Sequence, residues 1–273
     1  VPATSVSLEE YAAAFTSAFS GYRIPIVLDA RALATRVRYE QYALENSLVA
    51  YEGDELAGVA ALAVRGESGW VAGLALVPGQ RGRGRGRELM AALVERARGC
   101  GVRRLSLEVL AGNLAARRLY ESAGMAVTRD LLLMERAGAA VEGARAFEGA
   151  GALKEAPPRE LLAHFARLHA EPPSWPRDLP ALFAKANTRG FYTGARAAPD
   201  AYALLSYGRD GNTYVGDLAA AEARHAEALC AALAGLPGTL KIVNEPEHSL
   251  FTRPLLARGF VETDRQHEMA TDL

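Results

Sequence analysis

The amino-acid sequence predicts an α/β chain of two related halves. Three observations carry this reading. Apolar residues switch along the chain between helical and strand spacing. The order of the first half, α-α-β-β-β-α-β-α-β, returns in the second. Leu105-Ser106-Leu107 recurs as Leu240-Lys241-Ile242 at an offset of 135, which Gly124-Met125 against Gly259-Phe260 and Met134 against Met269 also keep.

Each element has its own warrant. Leu8, Ala12, Phe15 and Phe19 fall on one helical face, so Ser7 to Phe19 reads as an amphipathic helix, with Ser7 and Glu10 in capping-box spacing. A loop holding Tyr22, Arg23 and Pro25 follows, then a second helix from Asp29 to about Tyr42. Strands are predicted over Ser47–Tyr51, Leu56–Val64 and Trp70–Val77, joined by Gly-containing turns into a meander. Arg85 to Arg98 places Leu89, Ala92, Leu93 and Ala97 on one helix face and ends at Gly99-Cys100-Gly101. Leu105–Val109 is a strand, Asn113–Ala123 a helix stopped by Gly124, and Met125–Met134 the last strand of this half. Residues 137–157 are rich in Ala, Gly and Glu and read as a linker, with one strand near Ala144 to Phe147. Beyond it come helices at Arg159–His169 and Leu179–Ala186, then strands at Phe191–Arg196, Ala201–Tyr207 and Thr213–Ala219. Helix Glu222–Ala234, strand Thr239–Asn244, helix Ser249–Arg258 and a strand from Phe260 complete the second half. The expected lobes are 1–136 and 158–273.

Composition narrows the function classes. Of 273 residues, 50% are hydrophobic and 23% charged, a balance suited to soluble domains with substantial cores. A net charge of −1 gives no electrostatic reason to expect nucleic acid or a membrane as partner. No apolar run approaches the roughly 20 residues of a membrane span, and Val1-Pro2-Ala3-Thr4 lacks signal-peptide character. Cys100 and Cys230 form neither a disulfide framework nor a CxxC pair, so a reducing cytoplasm is the expected location. His164 and His169 lack an acid at metal-binding spacing, and no metal site is expected. His225 and His248 read as surface histidines, Trp175 as a loop anchor.

The segment Arg81-Gly82-Arg83-Gly84-Arg85-Gly86-Arg87 carries the chemistry. It lies between a strand and a helix start. Alternating glycines let backbone N–H groups converge on an anion, and the helix start adds orphan donors and its dipole. A pyrophosphate suits such a site. A dinucleotide fingerprint needs GxGxxG, and here Gly82, Gly84 and Gly86 alternate; a Walker loop needs Gly-Lys-Ser/Thr, which is absent. Disordered Arg-Gly tracts that bind nucleic acid are usually longer. A solvated basic turn remains the bland alternative.

With its neighbours added, the first half resembles the GNAT acyltransferase superfamily. Arg81, Gly84 and Gly86 fill the family's [QR]-x-x-G-x-[GA] loop, Leu107-Glu108-Val109 matches its L-E-V strand, and Asn113, Ala116, Leu119, Tyr120 and Gly124 match N-x-x-A-x-x-L-Y-x-x-x-G. Met125 stands where the family has Phe. The resemblance implies two tandem lobes, each a mixed, mostly antiparallel sheet flanked by helices. It implies acetyl-CoA as cosubstrate: backbone of Leu74, Ala75 and Leu76 on the pantetheine, Gly82 to Arg87 on the pyrophosphate, Asn113 near the pantetheine. Tyr120 is expected to protonate the departing thiolate. Glu108 is a candidate general base, with the alternative that it only orients backbone or substrate. Tyr22 and Arg23 follow the helix that shapes the family's acceptor site.

Upstream, Gly73 matches Gly216 at an offset of 143, 8 more than 135, so the second half is shorter where the glycine loop stands; the 135 offset turns Glu108, Asn113 and Tyr120 into Val243, His248 and Leu255. That half is expected to be a degenerate lobe. The expected activity is direct acetyl transfer to a primary amine on a small molecule or protein N-terminus, without an acyl-enzyme, so Cys100 is not a nucleophile. A non-catalytic acyl-CoA sensor or interaction protein is the alternative. The acceptor and the oligomeric state are not encoded legibly.

Overall fold

Ser7 starts the first helix as its spacing predicts. Its hydroxyl accepts from the Glu10 N–H at 3.1 Å, and the Glu10 carboxylate accepts from the Ser7 N–H at 2.7 Å. Two orphan donors of the helix start are thereby satisfied reciprocally. A computed structural model describes residues 1–23, 26–139, 141, 147 and 153–273. The chain divides into two compact units, Val1–Thr128 with His267–Leu273, and Arg129–Gln266.

In the first unit α1 spans Leu8–Ala18, and α2 spans Ala30–Arg36, extended by a wider turn over Val37–Gln41. The meander is β1 (Leu48–Glu52), β2 (Glu55–Arg65) and β3 (Ser68–Leu76), antiparallel throughout. Gly53 turns the first hairpin with φ +60° and Gly66 the second with φ +56°. These left-handed values cost glycine least. Then come α3 (Arg85–Gly99), β4 (Arg104–Leu110), α4 (Leu114–Ser122) and β5 (Ala126–Arg136). α1 lies on one face, with Phe15 over Gly73: a Cβ there would sit 2.7 Å from the Phe15 ring. On the other face Leu89, Met90, Leu93 and Ala97 of α3 pack with Leu62, Leu74, Leu107, Val109 and Tyr120. Buried on both faces, β2 reads as a near-continuous apolar run.

The feature that makes a site is a splay. β3 and β4 run parallel and pair only over Ser68–Trp70 with Arg104–Ser106. Beyond Trp70 they diverge, so the end of β3 is paired on its β2 side alone.

The second unit repeats the plan. Its elements are β6 (Lys154–Ala156), α5 (Pro158–Leu162), α6 (Phe165–Leu168), α7 (Leu179–Ala184), β7 (Arg189–Ala195), β8 (Ala198–Tyr207) and β9 (Thr213–Ala220). α8 (Ala223–Ala234), β10 (Leu240–Pro246), α9 (Thr252–Leu256) and β11 (Val261–Asp272) follow. The helix expected over Arg159–His169 is two short ones, and the strand at Lys154–Ala156 was not anticipated. The strand expected near Ala144 to Phe147 lies outside the described residues but for Phe147. The helix expected from Ser249 shrinks to α9: the Ser249 hydroxyl accepts the Phe251 and Thr252 N–H groups and so acts as a cap.

Strand register corrects the repeat by one residue. Leu105 pairs with Gly69 and its counterpart Leu240 with Thr213, an offset of 144 for the third strand of each meander. The bulge opposite Ala61/Leu62 leaves out Ala72, and the bulge opposite Leu204/Leu205 leaves out Gly216, the same offset of 144. Gly73 therefore corresponds to Asp217, not Gly216. In a strand such a slip exchanges the two faces. Only Ala221 and Glu222 separate β9 from α8, against residues 77–84 between β3 and α3, so the glycine loop has no equivalent.

The unit boundaries also differ from the expected 136 and 158. β5 and β11 each begin in one unit and end in the other. The first unit is finished by the end of the chain: Met269 is fully buried in its core, Leu273 N–H donates to Arg103 O at 2.8 Å, and Arg104 pairs with Asp272 at 2.9 Å. A boundary inside a continuous strand leaves no Pro- or Gly-rich signal in the sequence.

Candidate active site

The splay opens into a groove of about 770 Å³ within the first unit. Leu74, Ala75 and Leu76 form one wall, Leu110, Gly112 and Asn113 the other, and Gly82, Gly84, Gly86 and Arg87 one end. Tyr22 and Arg23 also line it. Eleven expected residues thus meet in one cleft. Arg83 and Arg85 do not line it.

The glycine loop owes its shape to backbone freedom. Gly82 (φ +76°) and Gly84 (φ +83°) are left-handed, and a Cβ on either would meet nothing within 4 Å. The space beside them is open to a ligand. Gly84 is the N-cap of α3 and has no side chain to cap it, so the first-turn donors lack a side-chain acceptor. A phosphate oxygen fits both the open space and these donors. Gly86 serves packing: a Cβ there would lie 3.4 Å from Leu119 of α4.

The arginines divide the work. Arg81, expected on the pyrophosphate, lines the groove but spends its guanidinium on backbone: Nε donates to Leu76 O at 2.9 Å, and one terminal nitrogen to Ala18 O at 3.0 Å and Ser20 O at 2.7 Å. It ties the end of α1 to the end of β3. Arg85 pairs with Glu52 and with Glu88, and Gln80 donates to the same Glu52 at 2.7 Å, which anchors the loop on β1. Arg83 is exposed to solvent. Arg87 remains beside the glycines, joined by Arg118 of α4, a groove residue that sequence reasoning missed. Its signal was its position one residue before Leu119 on a helix facing the loop.

Asn113 has both ends of its amide engaged. Its Oδ1 accepts the Ala116 N–H at 3.1 Å and caps α4, while Nδ2 donates to the Tyr22 hydroxyl at 2.9 Å. The residue expected to contact the ligand is therefore also the clamp on Tyr22. Tyr22 packs edge-on against Phe19, with ring centroids 5.0 Å apart.

Tyr120 is buried against Leu107 and Val109 and does not itself line the groove. Burial, and then the nearby Tyr22, push its pKa well above the ordinary phenol value. The phenol therefore stays protonated at neutral pH. Glu108 falls between Leu107 and Val109 and so belongs to the opposite face of β4, the face that brings Leu110 to the groove. Its Oε2 accepts the Trp70 indole N–H at 2.6 Å. The two proton-transfer candidates thus lie toward opposite faces of one strand, and neither lines the groove.

Among the described residues no group of three or more His, Cys, Asp or Glu is arranged to hold a metal, and no helix is long and apolar enough to cross a membrane. Cys100 donates to Ala97 O at 3.3 Å at the end of α3, outside the groove.

Residues 11–125, a stretch that lies within the first unit, match the acetyltransferase (GNAT) family. The whole chain has the fold of tandem GNAT proteins. A tandem GNAT protein from the clavulanic acid biosynthesis pathway matches with a TM-score of 0.67 and 16% identity, over 100% of this chain and 97% of that one. A GCN5-related N-acetyltransferase from Sphaerobacter thermophilus gives 0.64 and 15% over 97% and 92%. One from Kribbella flavida gives 0.58 and 19% over 98% and 70%. No curated protein sequence matches the chain. The fold supports acyl transfer from an acyl-CoA to an acceptor.

Proposed function

We propose that the protein moves an acetyl group from acetyl-CoA to a primary amine by direct attack, at one site in the first unit. The observation that carries this is the continuity of the groove from the splay, past Leu74–Leu76, to the open glycine cradle before α3. The free edge of β3 offers backbone groups to the pantetheine amides. Gly82 to Arg87, with Arg118, receive the phosphates. Arg81 acts as a positioning residue through Ser20 O and Leu76 O.

In the reaction the amine lone pair forms the new C–N bond at the thioester carbonyl. The nitrogen loses its proton, and collapse of the tetrahedral adduct breaks the C–S bond. The leaving thiolate takes a proton from the neutral Tyr120 phenol, which is then restored from solvent. Glu108 is the candidate base for the amine proton; its hydrogen bond from Trp70 supports the alternative that it positions the indole instead. Tyr22 and Arg23 line the groove, which supports a role for them in meeting the acceptor. The acceptor is an amine on a small molecule or a protein N-terminus, and the expected setting is cytoplasmic.

One observation favours a second reading. Tyr120 lies beneath the groove rather than in its lining, which a non-catalytic acyl-CoA sensor would tolerate. Thiol release from acetyl-CoA against an amine panel separates the two. Turnover that falls about 100-fold in Tyr120→Phe supports catalysis. Tight acetyl-CoA binding with no turnover on any amine makes the protein a sensor.

A further inference from the structure

The groove offers few neutral polar groups. Of the uncharged side chains that line it among the described residues, only Tyr22 and Asn113 are polar; the remaining uncharged residues are Gly, Ala and Leu. Both ends of the Asn113 amide are engaged, with the Ala116 N–H and with Tyr22. The Tyr22 hydroxyl is engaged on one side only. Its oxygen accepts from Asn113 Nδ2 at 2.9 Å, which leaves its own proton to be donated, and among the described residues none accepts it.

Tyr22 is also held in place. Its N–H donates to Phe19 O at 3.1 Å, and its ring packs edge-on against Phe19. The segment that carries it is tied from two sides of the groove. Arg81 reaches it from the end of β3 and donates to Ser20 O at 2.7 Å; Asn113 reaches it from the start of α4. A donor fixed before the reaction needs no reorganisation during it. The amide of Asn113 also polarises the phenol, which strengthens its donation.

We propose, resting on the acetyl-transfer reading above, that Tyr22 is a catalytic residue: its hydroxyl donates to the thioester carbonyl oxygen and stabilises the negative charge that forms there when the amine attacks. Its neighbours point to this atom. Tyr120 protonates the sulfur in that reading, and Tyr22 stands near enough to raise the Tyr120 pKa further, after burial. The carbonyl oxygen shares its carbon with the sulfur, so a groove hydroxyl beside Tyr120 meets that oxygen. As the C–N bond forms, the carbonyl pair moves onto the oxygen and the Tyr22 hydrogen bond strengthens. The pair returns as the C–S bond breaks, and Tyr22 keeps its proton throughout. Two phenols then divide the adduct, one at oxygen and one at sulfur. Tyr22 meets the acceptor only at the carbon under attack.

The bound thioester can be read without turnover. Isotope-edited infrared spectra of acetyl-CoA labelled at its acetyl carbonyl, with the intact protein and no amine, should show the carbonyl stretch at lower frequency bound than free. Tyr22→Phe should move it back toward the free value. Asn113→Asp still caps α4 but turns an acceptor toward Tyr22 and draws its proton away, so it should do the same with Tyr22 intact. In a thiol-release assay Tyr22→Phe should lower kcat about 100-fold, with KM for acetyl-CoA and for the amine unchanged within about twofold. A carbonyl band indifferent to both substitutions, or a Tyr22→Phe variant that raises KM with kcat intact, overturns the Tyr22 role and leaves the acetyl-CoA site standing. Failure of the wild type to bind acetyl-CoA overturns the transfer reading and this role with it.

Discussion

Single side chains in this protein separate holding from binding. Arg81 and Arg87 flank the same loop, yet Arg81 is committed to three backbone carbonyls. Arg87→Ala and Arg118→Ala should each flatten the salt dependence of acetyl-CoA affinity, because each removes a charge beside the phosphates. Arg81→Ala should weaken binding with the salt slope unchanged, as a calorimetric titration at several ionic strengths would show. The sequence and the family resemblance put four loop arginines near the ligand, some of them expected to face solvent. They could not show that Leu76, Ala18 and Ser20 carbonyls, or Glu52 far upstream, would claim two of them. Tyr120 stands out in the sequence, and its proposed acid role is open to a pH test. Its raised pKa predicts that kcat keeps its value up to the ordinary phenol range near pH 10; a tyrosine-dependent fall near neutrality would contradict the acid role. In the sequence His169 reads as lacking an acid at metal-binding spacing; the acid it meets, Asp217, lies 48 positions away. Burial opposes its protonation, but the hydrogen bond and charge of Asp217 outweigh that, and its pKa is raised. The stability it adds is full below the unfolded value of about 6.5 and is lost as pH rises through the folded one. His169→Gln should therefore lower Tm most at pH 5 to 6, with the gap narrowing toward pH 8 to 9 in a melting series.

At the level of elements, the helices and strands of the first unit follow their sequence signals closely. Ser7 and Glu10, Asn113 and the hairpin glycines do the jobs their types predict. What the sequence hid was register. A bulge takes up one residue without changing composition, so the repeat looked one residue out of step until pairing placed Gly73 against Asp217. The two positions have opposite needs. Gly73 leaves room for Phe15 at 2.7 Å, and Asp217 supports a buried charge cluster. Gly73→Asp should cost the first unit about 3 kcal/mol or more, through the clash and an unpaired buried carboxylate, as denaturant unfolding would report. Gly84→Ala places a Cβ at φ +83° and should cost about 1–2 kcal/mol.

Across the whole chain, duplication has given two units with one plan and different clefts. In one the strands part around an open groove; in the other Arg177 closes them. Each unit takes strand residues from both halves of the sequence. No local signal announces this, since β5 and β11 are uninterrupted at the residues where the units divide. The arrangement ties the proposed acetyl-CoA site to the far end of the chain. Met269→Ala should destabilise the first unit by about 2–5 kcal/mol, and removal of 267–273 should abolish acetyl-CoA binding, although every groove residue lies before residue 120. The central claim, one acyl-CoA site formed by the first unit's groove, is tested most directly by calorimetric titration of the intact protein with acetyl-CoA, beside an Arg87→Glu variant. The account predicts one site per chain and a large loss of affinity in the variant. Two equivalent sites, or affinity indifferent to the charge at residue 87, would contradict it.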